Sequence, residues 1–260
     1  VFGIVLNEKV VVSYCFLLSG LPAEAGIHGS KIEYNKISCS SCPLNYMFCI
    51  VYYTWFPTPL PAGRFAALLA PMPESVRQKV LSYRRWQDAH ASLLSKHLLL
   101  YAFSNAGETV DLASLQYTPE GRPFLPGKPD FNLSHSGTLA VCVVAGKGRI
   151  GIDVEYWKPI DIHLLKDNFT AEEWRHIKDA ASPEKTFYDY WTRKEAILKA
   201  DGRGLSVPPS DVRIAGASTG ILYGKRWYLT AVEGWKEYSC CIATDMEELT
   251  IRLQPVNFSI

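Results

Sequence analysis

At 260 residues and 29.1 kDa, with 48% hydrophobic and 20% charged side chains, the chain can bury a substantial core and has room for one or two domains. Its 27 basic and 26 acidic residues leave a formal net charge of +1, which excludes gripping long nucleic acid by bulk charge and leaves only local basic pockets open. No apolar run reaches the roughly 18 residues that a spanning helix needs, so neither nucleic acid nor membrane is expected as a partner.

The first 46 residues differ from the rest. Val10 to Leu18 is apolar, follows Lys9 and precedes Leu21, Pro22 and Ala23, which gives it the outline of a secretory leader. Met47, however, stands directly before a strand-like run, Phe48 to Trp55, that makes the better start of a domain. Residues 1–46 are therefore expected to be an extension without catalytic role, upstream sequence foreign to the domain that follows. Seven cysteines, an odd number, fit reduced thiols and a cytoplasmic setting better than a disulfide framework. Cys39 and Cys42 form one CxxC pair, with neither a second pair nor nearby histidines to complete a zinc site.

Pro73 to Asn105 is predicted to be helical, with Trp86, Ala89, Leu93, Leu94, His97 and Tyr101 on one stripe. Asn105 to Asp111 breaks it, and the Pro/Gly-rich stretch Thr118 to Asp130 predicts an ordered surface loop. Leu139 to Ala145 and Arg149 to Glu155, separated by Gly146, Lys147 and Gly148, are predicted to pair as an antiparallel hairpin. Thr170 and Glu173 have the spacing of a capping box, and Ser182 with Pro183 opens a second helix that runs to about Ala200 and stops at Gly202. Short strands are predicted at 213–214, 227–232 and 238–243. Helices and antiparallel strands in each half define an α+β fold, with 47–146 and 147–260 as its two halves.

Several residues could carry chemistry. Asp153 and Glu155, two apart in a predicted strand, share one face while Ile152 and Val154 face the core. Their mutual repulsion is relieved by a cation, and a hard Mg2+ takes one or two carboxylates together with substrate phosphates; a solvated strand face is the plainer account. Glu195 and Lys199, four apart on a helix with Trp191 one turn earlier, form either a surface ion pair or an acid and a cation aimed at a phosphate. Glu173 already has a structural job in the capping box. Asn132 to Gly137 gathers hydroxyls and His135 beside a strand, able to bind an anion. Nucleophile-elbow, P-loop and Rossmann signatures are absent.

Taken in order, Gly121–Phe124 (GRPF), Phe131–Gly137 (FNLSHSG), Gly151–Glu155 (GIDVE), Phe169–Trp174 (FTAEEW), Trp191–Lys199 (WTRKEAILK) and Gly202–Leu205 (GRGL) resemble the 4'-phosphopantetheinyl transferases of the monomeric Sfp type over about residues 47–245. The resemblance implies two similar α+β halves related by a pseudo-twofold axis with the active site in the cleft between them. It also implies Mg2+-dependent transfer of the phosphopantetheine arm of coenzyme A to a serine of an apo acyl or peptidyl carrier protein, releasing adenosine 3',5'-bisphosphate. By position it implies Asp153, Glu155 and Glu195 as metal ligands and Glu195 or Glu173 as base. Lys199 falls beside the pyrophosphate, Ser134 and His135 at the coenzyme A phosphates, and Arg122 beside the adenine and ribose phosphate. The basic residue that the family often has after D-A-H is Ala91 here, and Lys79, with Arg77 and Ser92, is expected to share the hold on the 3'-phosphate. A monomer is expected. A silent carrier-binding homologue and a Mg2+-dependent coenzyme A pyrophosphatase are the competing readings, the first opposed by the clustered acids, which a binder does not need.

Overall fold

The computed structural model describes residues 23–28, 31–34, 48–247 and 249–258. The run after Met47 forms strand β3 (Phe48–Trp55) over its predicted span. β3 pairs antiparallel with β7 (Leu139–Val144), Val51 opposite Val143, and β7 pairs on its other side with β6 (Phe131–Ser136). On its far edge β3 pairs in parallel with the last strand, β13 (Thr250–Asn257), so the end of the chain returns to the sheet of the first half. β1 (Ala23–His28) and β2 (Lys31–Tyr34), both within the expected extension, continue that sheet beyond β13. The leader-like run Val10–Leu18 and the Cys39, Cys42 pair lie outside the described residues.

A second sheet contains β8 (Ile150–Tyr156), β12 (Tyr238–Thr244), β11 (Lys225–Ala231), β10 (Thr219–Leu222) and β9 (Val212–Ile214), in that order and antiparallel throughout. Each half sets one long helix against its strands. α3 (Trp86–Asn105) lies on β7, β6 and β3, while α5 (Pro183–Asp201) lies on β8 and β12. α1 (Ala62–Leu69) and α2 (Glu74–Ser82) pack on α3, and α4 (Ala171–Lys178) packs on α5. The fold is α+β. Among the described residues no helix is long and apolar enough to cross a membrane.

Two elements differ from expectation. The helix predicted over 73–105 is two helices, broken where Tyr83 and Arg85 adopt extended backbone. Val80 and Ala89, both buried, are nine residues apart and would fall on opposite faces of a continuous helix at about 100° per residue. The break lets both face the same core cluster. The predicted hairpin between Leu139–Ala145 and Arg149–Glu155 does not form either. β7 pairs with β3 and β6, and β8 pairs with β12 in the other sheet. Both strands are almost wholly buried, so each needs covered neighbours on its edges and faces, which a two-stranded hairpin does not supply. β7's hairpin partner is β6, the segment whose polar residues read as a ligand cluster.

α5 follows its local signals. Pro183 occupies the first turn, and Gly202 caps the C-terminus at φ 92°, a left-handed conformation that costs glycine little. Ser182 sits at the N-cap without a side-chain hydrogen bond. Gly151 is what lets α5 approach β8 so closely, since a Cβ there would meet the Ala196 carbonyl oxygen at 2.2 Å and the Ala200 nitrogen at 2.5 Å. This contact brings Glu195 and Lys199 over Asp153 and Glu155.

Candidate active site

The two sheets meet along β6 and β8, where side chains replace a backbone ladder. β8 uses one edge to pair with β12, which leaves the N–H groups of Ile150, Ile152, Val154 and Tyr156 facing β6. Every second residue of the β6 segment supplies an acceptor. Asp130 Oδ2 accepts from Ile150 N (2.9 Å), Asn132 Oδ1 from Ile152 N (2.9 Å), Ser134 Oγ from Val154 N (3.3 Å) and Ser136 Oγ from Tyr156 N (3.1 Å). Buried N–H groups left without acceptors would each cost about 1–3 kcal/mol, which explains the alternation of polar residues through this segment.

The two serines also donate to the carboxylates of β8. Ser134 Oγ lies 3.1 Å from Asp153 Oδ1, and Ser136 Oγ lies 2.7 Å from Glu155 Oε2. From α5, Lys199 Nζ reaches Asp153 Oδ1 at 2.6 Å and Ser134 Oγ at 2.8 Å. Asp153 is 3% exposed, and burial raises its pKa against the pull of Lys199 and Ser134. Burial and the Asp153 charge likewise raise Glu155. Glu195, partly buried one helical turn before Lys199, is pushed up to about 7 by burial and then by Asp153 and Glu155, with Lys199 opposing. Three carboxylates thus sense one another and the Lys199 ammonium.

Among the described residues no three His, Cys, Asp or Glu side chains are grouped as the ready ligands of one ion. The expected carboxylate trio is therefore not a preformed cage, because Lys199 already occupies Asp153. The donor set nevertheless suits a hard divalent cation. All its donors are carboxylate oxygens, and among the described residues the buried Asp153 Oδ2 has no hydrogen-bond partner.

The remaining predicted residues separate. Glu173 does not join the site. Its Oε2 accepts from Thr170 N (2.8 Å) and from Lys194 Nζ (2.8 Å), and its Oε1 accepts from Ile214 N (2.9 Å), so both oxygens are engaged. The capping box is its real employment. Arg122 is also a brace: its terminal nitrogens donate to both oxygens of Asp130 at 2.7 Å, to Ile150 O at 3.0 Å and to Lys199 O, tying the end of α5 to the β6–β8 seam. It borders a cavity of about 450 Å³ with Phe124, Lys128 and Arg149, and none of the three carboxylates lines that cavity. Ser134 has used its one hydrogen on Asp153 and accepts from both Lys199 and Val154, which leaves little capacity for a phosphate. His135 is exposed on its outer side but crowded by protein on the other. Burial and then the charges of Lys199, Lys96 and Lys79, opposed by Asp88, push its pKa down to about 4. Lys79 is exposed on α2 and contributes to this basic flank.

Sequence reasoning passed over Lys96 and Lys194, and met Ser136 only as part of the Asn132 to Gly137 cluster. Lys96, on α3, joins the flank beside His135, and burial followed by Lys79 brings its pKa down to about 8. The signal was a lysine within the leucine-rich Leu93–Leu100, where Ser95 and His97 are the other polar residues. Lys194 is fully buried, on the apolar stripe Phe187, Trp191, Leu198 that its helical spacing shares. Ser136 differs from Ser134 only in being two residues further along the same strand.

The seam thus gathers clustered acids, Lys199 and a basic flank in one place. The model of the 4'-phosphopantetheinyl transferase superfamily matches residues 149–243, a span that includes Asp153, Glu155, Glu195 and Lys199. The chain is 34% identical to a 4'-phosphopantetheinyl transferase of Bacillus subtilis over 164 residues, 61% of this chain and 72% of that protein. It is 32% identical to the 4'-phosphopantetheinyl transferase Sfp of Bacillus subtilis (strain 168), over 56% of this chain and 65% of Sfp. It is also 32% identical to the L-aminoadipate-semialdehyde dehydrogenase-phosphopantetheinyl transferase of Schizosaccharomyces pombe, over 54% of this chain and 62% of that protein. The chain belongs to the 4'-phosphopantetheinyl transferase superfamily.

Proposed function

We propose that the protein transfers the 4'-phosphopantetheine group of coenzyme A to a serine hydroxyl of an apo acyl or peptidyl carrier protein. The observation that carries this reading is the Lys199 ammonium, held between Asp153 and Ser134 by two of its three N–H groups beside a carboxylic acid poised near neutrality. The third N–H is suited to a phosphate oxygen of the incoming pyrophosphate. As the serine oxygen bonds to the β-phosphorus, the bond from that phosphorus to the bridging oxygen breaks and adenosine 3',5'-bisphosphate leaves. Lys199 stabilises the charge that develops on the leaving phosphate. Glu195 takes the serine proton, its proton affinity raised by burial and by the neighbouring Asp153 and Glu155.

Asp153, Glu155 and Glu195 would hold a Mg2+ ion, which supplies charge neutralisation on the pyrophosphate when bound. Lys79, Lys96 and His135 form the flank for the 3'-phosphate, taking over where Ala91 offers no charge. The reading includes a monomeric cytoplasmic enzyme of two related halves, divided near residue 146, with β13 returning to the first. Incubating the protein with coenzyme A and Mg2+, with and without an apo carrier, tests it by chromatography of the nucleotides. Adenosine 3',5'-bisphosphate is expected only when the carrier is present. Release without carrier would make the protein a pyrophosphatase, and no release with any of a panel of carriers would overturn the reading.

A further inference from the structure

Ser136 belongs to no substrate contact proposed above, yet its hydroxyl has two engagements that coincide. It accepts from Tyr156 N at 3.1 Å and donates to Glu155 Oε2 at 2.7 Å. The pair repeats two residues earlier, where Ser134 accepts from Val154 N and donates to Asp153. An acceptor alone would serve the seam, as Asn132 shows by taking Ile152 N without touching a carboxylate. Asn132 is buried within the seam and Ser136 is partly exposed at its open end, where the carboxylates emerge. A backbone N–H fixes where the Ser136 oxygen sits, and the O–H then has one strong acceptor within reach. Glu155, which carries several rotatable bonds, is thereby held to one orientation.

We propose that Ser136 is a positioning residue that aims the Glu155 carboxylate at the divalent cation, so that the β6–β8 seam sets the spacing of the acidic ligands as well as joining the two sheets. The inference rests on the proposed cation role of Asp153, Glu155 and Glu195. A side chain that orients a metal ligand through a hydrogen bond affects cation affinity by about 10- to 100-fold when removed. Asn132 provides the comparison, since it makes the same kind of seam contact without a ligand to aim. Threonine at 136 keeps both the donor and the acceptor.

The test is direct binding of Mn2+, followed by electron paramagnetic resonance, to wild type, Ser136→Ala, Ser136→Thr and Asn132→Ala, each with adenosine 3',5'-bisphosphate present and each checked by thermal melting. Ser136→Ala is expected to weaken Mn2+ at least about tenfold, Ser136→Thr to restore it to within a few-fold of wild type, and Asn132→Ala to lower the melting temperature while leaving Mn2+ affinity near wild type. Should Ser136→Ala fail to fold, Ser136→Cys, whose thiol is only a weak donor, takes its place. Weaker Mn2+ binding by Ser136→Cys than by Ser136→Thr supports the proposal, and equal affinity of the two overturns it. Unchanged Mn2+ affinity in a folded Ser136→Ala overturns the positioning role alone. Absence of Mn2+ binding to wild type overturns the cation reading and the inference with it.

Discussion

Helix α5 carries two buried lysine–carboxylate pairs five residues apart, and they serve opposite ends. Lys194 and Glu173, at 0% and 4% side-chain exposure, meet at 2.8 Å, and every remaining valence is filled. Lys194 also donates to the carbonyls of Pro209 and Val212, while Glu173 caps α4 and accepts from Ile214 N. Lys199 and Asp153 meet at 2.6 Å, but Lys199 is 28% exposed and Asp153 Oδ2 has no partner among the described residues. The saturated pair is a joint among α4, α5 and β9. The unsaturated pair has capacity left over for a ligand. A buried ion pair is thus read by what it leaves unsatisfied, not by its distance.

The contrast can be broken most decisively at Asp153. Asp153→Ala is expected to lower kcat/KM by about 10²- to 10³-fold with circular dichroism unchanged, because the lysine it frees is partly solvated. A near-wild-type rate would put Asp153 in the same structural class as Glu173. The reciprocal change, Lys194→Met, strands a buried carboxylate and should cost about 3–5 kcal/mol in denaturant unfolding while the rate per folded molecule stays within a few-fold of wild type. A large loss of rate in the folded fraction would bring Glu173 back as a candidate base.

A finer test uses Glu195. Its pKa lies at about 7 in the folded protein against an ordinary 4.5, so folding favours the protonated form. Wild type therefore loses stability as pH rises from about 4.5 to about 7, and the loss persists above that range. Glu195→Gln should be more stable than wild type at pH 8 by up to about 3 kcal/mol, with solvent screening reducing the figure and the gap closing towards pH 5. With Mg2+ present the same substitution should lower kcat/KM across the range, since it removes a cation ligand together with the base. The smallest effect is expected at Lys96, whose charge is lost above about pH 8. The KM for coenzyme A should increase over that range in wild type, and Lys96→Arg, which stays charged, should flatten the increase.

What was legible in the sequence was what local signals control. The capping box at Thr170 and Glu173, the glycine stop at Gly202 and the strand after Met47 each depend on a few neighbouring residues, and each forms. The shared face of Asp153 and Glu155 followed from strand alternation, with Ile152 and Val154 in the core as expected. The partner of β8 was not legible, because pairing is set by distant segments and two apolar runs joined by a glycine-rich turn look alike whether or not they pair. Glu173 shows the opposite case, where resemblance suggested chemistry for a residue whose spacing had already disclosed its capping role. Arg122 could not be placed from sequence, since its partners Asp130, Ile150 and Lys199 come from three separate elements.

The central claim is that the Asp153–Lys199 seam performs group transfer while the Glu173–Lys194 pair only holds the fold. Mass spectrometry of an apo carrier protein, incubated with coenzyme A and Mg2+ and with wild type, Asp153→Asn or Lys194→Met in parallel, tests it most directly. The account predicts one phosphopantetheine added to the carrier serine by wild type and by the folded fraction of Lys194→Met, and almost none by Asp153→Asn. A carrier left unmodified by wild type, or modified equally by Asp153→Asn, would contradict it.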